Sequence, residues 1–89
     1  MSEQKVRECI LTIIESILQK RENGNGISVD IITDTTNLFE DLGMDSIEII
    51  TIIVEVENVF NIEFIDDDMD LDKMIIFGNI VNGVLKALL

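Results

Sequence analysis

With 89 residues, one cysteine, no histidine and a formal net charge of −12, the chain has room for one core, and it can hold neither an internal disulfide nor a zinc site. Between Glu22 and Asp72 there is no basic residue, and 15 of the 18 acids lie in that stretch; such a surface repels nucleic acid and anionic membranes and favours rapid, salt-sensitive encounters with basic proteins. The N-terminal residues carry charges of both signs rather than an apolar leader, and no apolar run approaches the roughly 18 residues of a bilayer span, so the expectation is a cytoplasmic monomer that forms a single domain over residues 1–89.

Residues 3–21 read as the first helix. Val6, Ile10, Ile13, Ile14, Ile17 and Leu18 recur at steps of three and four. Glu3 and Glu8 stand near its positive end, and Lys20 and Arg21 near its negative end. Asn23-Gly24-Asn25-Gly26 then stops it. Cys9 falls on the apolar side, three residues after Val6, and reads as a small core residue rather than a reactive thiol. From Gly26 to Met44 the pattern is irregular. Ile27, Val29, Ile31 and Ile32 are compatible with a short strand; a long loop pinned by Leu38, Phe39 and Leu42 is equally compatible. A loop of that length in so small a domain is usually functional.

Residues 46–60 carry the Ile, Val and Thr content of a strand. Their polar residues decide for a helix: Glu48, Thr51, Glu55 and Asn58 are spaced by three, four and three. Asp45 followed by Glu48 forms the pattern of a capping box. At about 100° per residue, Ile49, Ile52, Ile53, Val56, Val59 and Phe60 gather on one side as the expected core face. Ile47, Ile50 and Val54 fall roughly opposite, beside Glu48, Thr51 and Glu57. Either the long loop covers those three, or they form an exposed apolar strip rimmed by acids, the usual mark of a partner site.

After residue 60 the chain leaves the helix with Ile62 and Phe64 pointing inward. Residues 66–72 form an acidic turn with room for one short helical turn. The last helix is expected from Ile75 or Ile76 to Leu89, with Ile76, Phe77, Ile80, Val81, Val84, Leu85 and Leu88 buried. Gly78 and Gly83 weaken that helix or permit close packing.

The chemistry is narrowed by elimination. Serine and cysteine nucleophiles are commonly activated by histidine, which is absent, and all six basic residues are remote from Ser46 in sequence. Asp66, Asp68 and Asp70 imitate the first alternate ligands of a calcium loop. That register puts Leu71 where glycine is required and Phe77 where glutamate is required, so weak divalent binding is compatible with the run and a calcium sensor is not. Ser46 remains, at the start of a helix whose first N–H groups and positive dipole end accommodate a phosphodiester even in an acidic protein. By local features alone, Ser46 is equally a modification site or only a helix-start residue.

Residues 38–47, Leu-Phe-Glu-Asp-Leu-Gly-Met-Asp-Ser-Ile, resemble the attachment motif of the acyl carrier protein family. Glu57 to Phe60 and Ile62-Glu63-Phe64 continue the likeness in register, so that it covers residues 38–88 and, less specifically, the first helix. The resemblance implies an all-α fold, a small four-helix bundle with a long loop between helices one and two, in which an acyl chain slides between the helices. It implies a 4′-phosphopantetheine arm on Ser46, transferred from coenzyme A by a magnesium-dependent phosphopantetheinyl transferase. Acyl groups would ride on the arm as thioesters, delivered to acyl-transferring and condensing enzymes with basic docking surfaces in fatty-acid, polyketide or related biosynthesis. The chain would be a carrier and not an enzyme, with no metal of its own.

In this family the helix after the serine is the recognition helix. That role carries over onto Asp45, Ile47, Glu48, Ile50, Val54 and Glu57, with Leu42 and Met44 as neighbours of the arm. Ile47 replaces the usual leucine, Thr51 stands where fatty-acid carriers commonly have an acid, Glu55 where a small residue is common, and Ile65 where proline is typical. The acidic turn is also about two residues longer. These departures point to a specialised stand-alone carrier as readily as to a housekeeping one. Gly43-Met44 before Asp45 favours an acyl over an aminoacyl or peptidyl carrier, which usually shows a Gly-Gly pair. The remaining alternative is an unmodified acidic helical module that binds partners through the strip from Ile47 to Val54.

Overall fold

The computed structural model describes residues 2–19, 32–64 and 71–88. Four helices follow one another: α1 (Glu3–Gln19), α2 (Ser46–Phe60), α3 (Leu71–Met74) and α4 (Phe77–Leu88). Among the described residues there is no strand, only an isolated antiparallel bridge between Asn37 and Ile76. Lys20, Arg21, Ile27, Val29, Ile31 and the acidic run 66–70 lie outside the described residues, and so do the expectations placed on them.

α1 is capped by Ser2, whose hydroxyl accepts from the Lys5 N–H at 3.3 Å. It buries Val6, Ile10, Ile14, Ile17 and Leu18 against α2 and α4. Ile13 and Cys9 are only partly buried, at the margin of this face.

Nine of the 15 residues of α2 are β-branched. Each costs a helix roughly half a kcal/mol relative to a good helix former. Burial of Ile49, Ile52, Ile53, Val56 and Phe60 outweighs this, at about 1.5–3 kcal/mol for each side chain removed from water. Val59, expected in that core face, is exposed. Its bearing lies about 20° beyond that of Ile52, at the margin of the buried face, while Phe60 on the same last turn points to the core. α2 ends at Asn61, which takes the left-handed conformation (φ 54°, ψ 49°) and donates its N–H to Glu57 O. Asparagine tolerates that region better than most side chains. The Phe64 N–H then donates to Glu57 Oε2 at 3.0 Å, directing Phe64 into the core.

The last helix starts later than its apolar pattern implies. Ile75 and Ile76 are not helical because their backbone serves the loop: the Leu38 N–H donates to Ile75 O, and Ile76 bridges Asn37. Two more bonds complete the seam, from the Phe77 N–H to Thr36 O (3.0 Å) and from the Gly78 N–H to Asp34 O (2.9 Å). A Cβ at Gly78 would lie 2.7 Å from Asp34 O, so only glycine lets this backbone approach so closely. Arg7 of α1 forms a two-armed ion pair with Asp34, tying the first helix to the same seam. Gly83 faces the ring of Phe64. Leu88, expected in the buried face of α4, is exposed on that helix's last turn.

Candidate functional site

The turn before α2 is built from short local contacts. The Met44 N–H donates to Leu38 O at 3.1 Å. Gly43 adopts φ +66°, where a side chain is strained even though a Cβ would meet nothing within 4 Å. Leu42 and Met44 are buried, so they support the turn from the core side rather than lining a surface beside Ser46. The exception to this inward packing is Phe39. Expected to pin the loop, it is 52% exposed, because its turn is fastened by polar atoms instead. Asn37 Oδ1 accepts from the N–H groups of Phe39 (2.9 Å) and Glu40 (2.8 Å), and the Asp41 carboxylate accepts from the Asn37 N–H (2.8 Å).

Asp45 is the N-cap of α2. Its carboxylate accepts from the Glu48 N–H at 2.8 Å, and the Glu48 carboxylate accepts from the Asp45 N–H at 3.1 Å, completing the capping box. Ser46 is the first helical residue and is exposed. Its side chain makes no hydrogen bond among the described residues. Capping is therefore done by Asp45, and the serine hydroxyl is not needed to start the helix. The backbone N–H groups of the first turn and the positive end of the helix dipole lie beside it, a fitting environment for a phosphodiester.

The face expected to be exposed is exposed. Ile47 is 75% accessible, and Ile50 and Val54 are each 47% accessible. The loop does not cover them. Asp45 and Glu48 stand at the same end of the helix. Glu57 is half-buried and turned toward the Phe64 N–H, so it serves the turn after α2 as well as the edge of the strip. On the other flank, a cleft of ≈ 300 Å³ between α1 and α2 is lined by Thr12, Ile13, Ser16, Ile17, Thr51 and Glu55. Its two threonines donate their hydroxyls to Glu8 O and Ile47 O of their own helices.

The family model of the phosphopantetheine attachment site matches residues 6–73, most of the chain. The chain belongs to the acyl carrier protein family. It is 30% identical to the acyl carrier protein of Thermotoga maritima over 82 residues, which is 92% of this chain and 95% of that protein. With the acyl carrier protein of Guillardia theta it shares 34% identity over 67 residues, 75% of this chain and 74% of the other. Among solved structures, the acyl carrier protein of Enterococcus faecalis aligns with a TM-score of 0.63 at 30% identity, over 91% of this chain and 96% of that one. The likeness extends over the whole helix order, and it makes this a phosphopantetheine-binding carrier of all-α fold. Among the described residues no helix is long and apolar enough to cross a membrane.

Proposed function

We propose that Ser46 is the attachment point of a 4′-phosphopantetheine arm taken from coenzyme A, and that the chain carries acyl groups for enzymes of fatty-acid, polyketide or related biosynthesis. The observation that carries this reading is the division of labour at the start of α2. Asp45 caps the helix, while the Ser46 hydroxyl is exposed and has no hydrogen-bonding partner among the described residues. A serine kept only to start a helix would itself be the cap.

When bound, the arm supplies a terminal thiol on which an acyl group is held as a thioester. The residues of the chain bind, orient and present it. The capping box fixes the helix end from which the hydroxyl projects. The first-turn N–H groups and the dipole stabilise the phosphodiester. Ile47, Ile50 and Val54, edged by Asp45, Glu48 and Glu57, form the docking face for a basic phosphopantetheinyl transferase and for acyl-transferring and condensing enzymes. In the transfer the Ser46 oxygen displaces adenosine 3′,5′-bisphosphate from the phosphorus next to the pantetheine of coenzyme A, and its proton passes to a base on the transferase, so the chain is the acceptor of the group. Thr51 and Glu55, where fatty-acid carriers commonly have an acid and a small residue, are exposed on α2, so a specialised carrier fits as readily as a housekeeping one.

The test is intact mass after incubation with coenzyme A, magnesium and a broad-specificity phosphopantetheinyl transferase. One phosphopantetheine addition is expected on the native chain and none on Ser46→Ala. The variant's stability should stay within about 0.5 kcal/mol of native, as for an exposed side chain without a structural bond. Addition to Ser46→Ala, or none to a folded and previously unmodified native chain, overturns the assignment.

A further inference from the structure

We propose that Phe39 is the aromatic anchor by which the transferase that loads Ser46 grips this chain, its ring seated in an apolar socket rimmed by basic side chains. This rests on the reading of Ser46 as the attachment point.

The chain has four phenylalanines and neither tyrosine nor tryptophan. Phe60, Phe64 and Phe77 are buried; Phe39 is the one aromatic ring presented to solvent. It is presented by a fastened turn. Two bonds to Asn37 Oδ1, the Asp41 N–H to Asn37 O bond (2.7 Å) and the Asp41 carboxylate on the Asn37 N–H hold residues 37–41 in one conformation. A ring with two rotatable bonds on a fixed backbone loses little entropy on docking, which is what makes aromatic anchors effective.

Its place selects the partner. The Met44 N–H donates to Leu38 O at 3.1 Å, and Ser46 is two residues further along. At roughly 3.3–3.6 Å of chain per residue, the backbones of Phe39 and Ser46 lie within about 15 Å of each other. Chemistry at the Ser46 hydroxyl brings the transferase to bonding distance of that atom. A standard interface of about 800 Å² per partner, centred there, has a radius of roughly 16 Å, which puts Phe39 within its reach. An enzyme that works at the far end of a long arm is under no such constraint. The charge around the ring describes the rest of the socket. Glu40, Asp41 and Asp45 are exposed, and no basic residue occurs between positions 22 and 72. The complementary rim is basic around an apolar centre, the usual anatomy of an interface core.

The experiment compares kcat/KM for arm transfer to the native apo chain, Phe39→Ala and Phe39→Gln, using coenzyme A, magnesium and a broad-specificity phosphopantetheinyl transferase. Both variants should lose roughly tenfold to thirtyfold, chiefly through KM, as at a hot-spot residue. Their melting temperatures should match native, and the loss should persist at high salt because an apolar contact is not screened. Rates within twofold of native for a folded variant overturn the proposal. So does a loss that disappears at high salt, which would mark a charge effect. Sedimentation of the same samples identifies the other occupant: a native dimer that Phe39→Ala converts to monomer, with kcat/KM unchanged, would assign the ring to self-association and sink the transferase anchor. Failure of the native chain to accept the arm removes the reading of Ser46 itself, and the anchor falls with it; a native chain modified on Ser46 and indifferent to Phe39 removes the anchor alone.

Discussion

At Asp45 and Glu48, two carboxylates hold the helix start together and also stand on the proposed docking face. Their two roles separate by chemistry. Glu48→Gln keeps an acceptor for the Asp45 N–H and removes the charge. Glu48→Lys removes both and puts a cation at the positive end of the dipole. Glu48→Gln should therefore lose only a few tenths of a kcal/mol, while Glu48→Lys should lose about 1 kcal/mol or more of stability. For arm transfer at low salt, Glu48→Gln should slow kcat/KM a few-fold and Glu48→Lys by roughly tenfold or more. A native transfer rate in Glu48→Gln would take Glu48 out of the docking face and leave it only as a cap. The capping box was legible in the sequence because it is local: two residue types three positions apart suffice to specify it. Phe39 was not. Its apolar character says that it prefers burial, but the Asn37 and Asp41 bonds that turn it outward depend on a backbone conformation that hydropathy does not encode.

Among the elements, α2 was the most legible despite its strand-like composition, because a polar stripe at helical spacing has no counterpart in a strand. The exposed strip of Ile47, Ile50 and Val54 followed from the same wheel. Val59 did not, because it stands at the margin of the face, and Leu88 did not, since the wheel gives a bearing and not how far along the helix the covering neighbours reach. The start of α4 was obscured for a different reason: Ile75 and Ile76 continue the apolar pattern while their backbone is engaged by residues 36–38, distant in sequence. That seam has a pH signature. Hydrogen bonding to Arg7, reinforced by its charge, holds the Asp34 carboxyl below its ordinary value of 3.8. The folded chain thus binds the proton less readily than the unfolded chain. The pair's contribution to stability is complete above that ordinary value and is lost as pH falls through the lowered one. The difference in melting temperature between native and Asp34→Asn should be constant from about pH 7 to pH 5 and shrink below about pH 4. A difference that stays constant into acid would mean that the ion pair adds nothing to the backbone seam. Both residues are solvent-exposed enough for the effect to be small and reduced by salt.

For the whole molecule, one quantity acts on stability and on association with opposite sign. A net charge of −12 is carried by a chain whose radius of gyration is 12.1 Å. At about 0.01 M salt the Debye length of roughly 30 Å exceeds that radius, so the acids repel one another across the entire fold; at about 0.15 M it shrinks to roughly 8 Å. Raising salt should therefore stabilise the folded chain, by about 1 kcal/mol or roughly 4–8 °C in melting temperature for a domain of this size. The same screening removes the attraction between the acidic α2 face and a basic partner, and steering of that kind is worth about tenfold or more in association rate. Between the two buffers, at fixed magnesium, the melting temperature should rise while kcat/KM for arm transfer falls. The combination matters more than either result. If both fell together, salt would be damaging the transferase or the fold, and no statement about steering could stand. If kcat/KM held steady while the melting temperature rose, the acidity would be a cost borne for solubility alone, and docking would rest on the apolar residues Phe39, Ile47, Ile50 and Val54. Opposite movement is the outcome expected of a chain whose acidity weakens its own fold in exchange for faster capture by a basic enzyme.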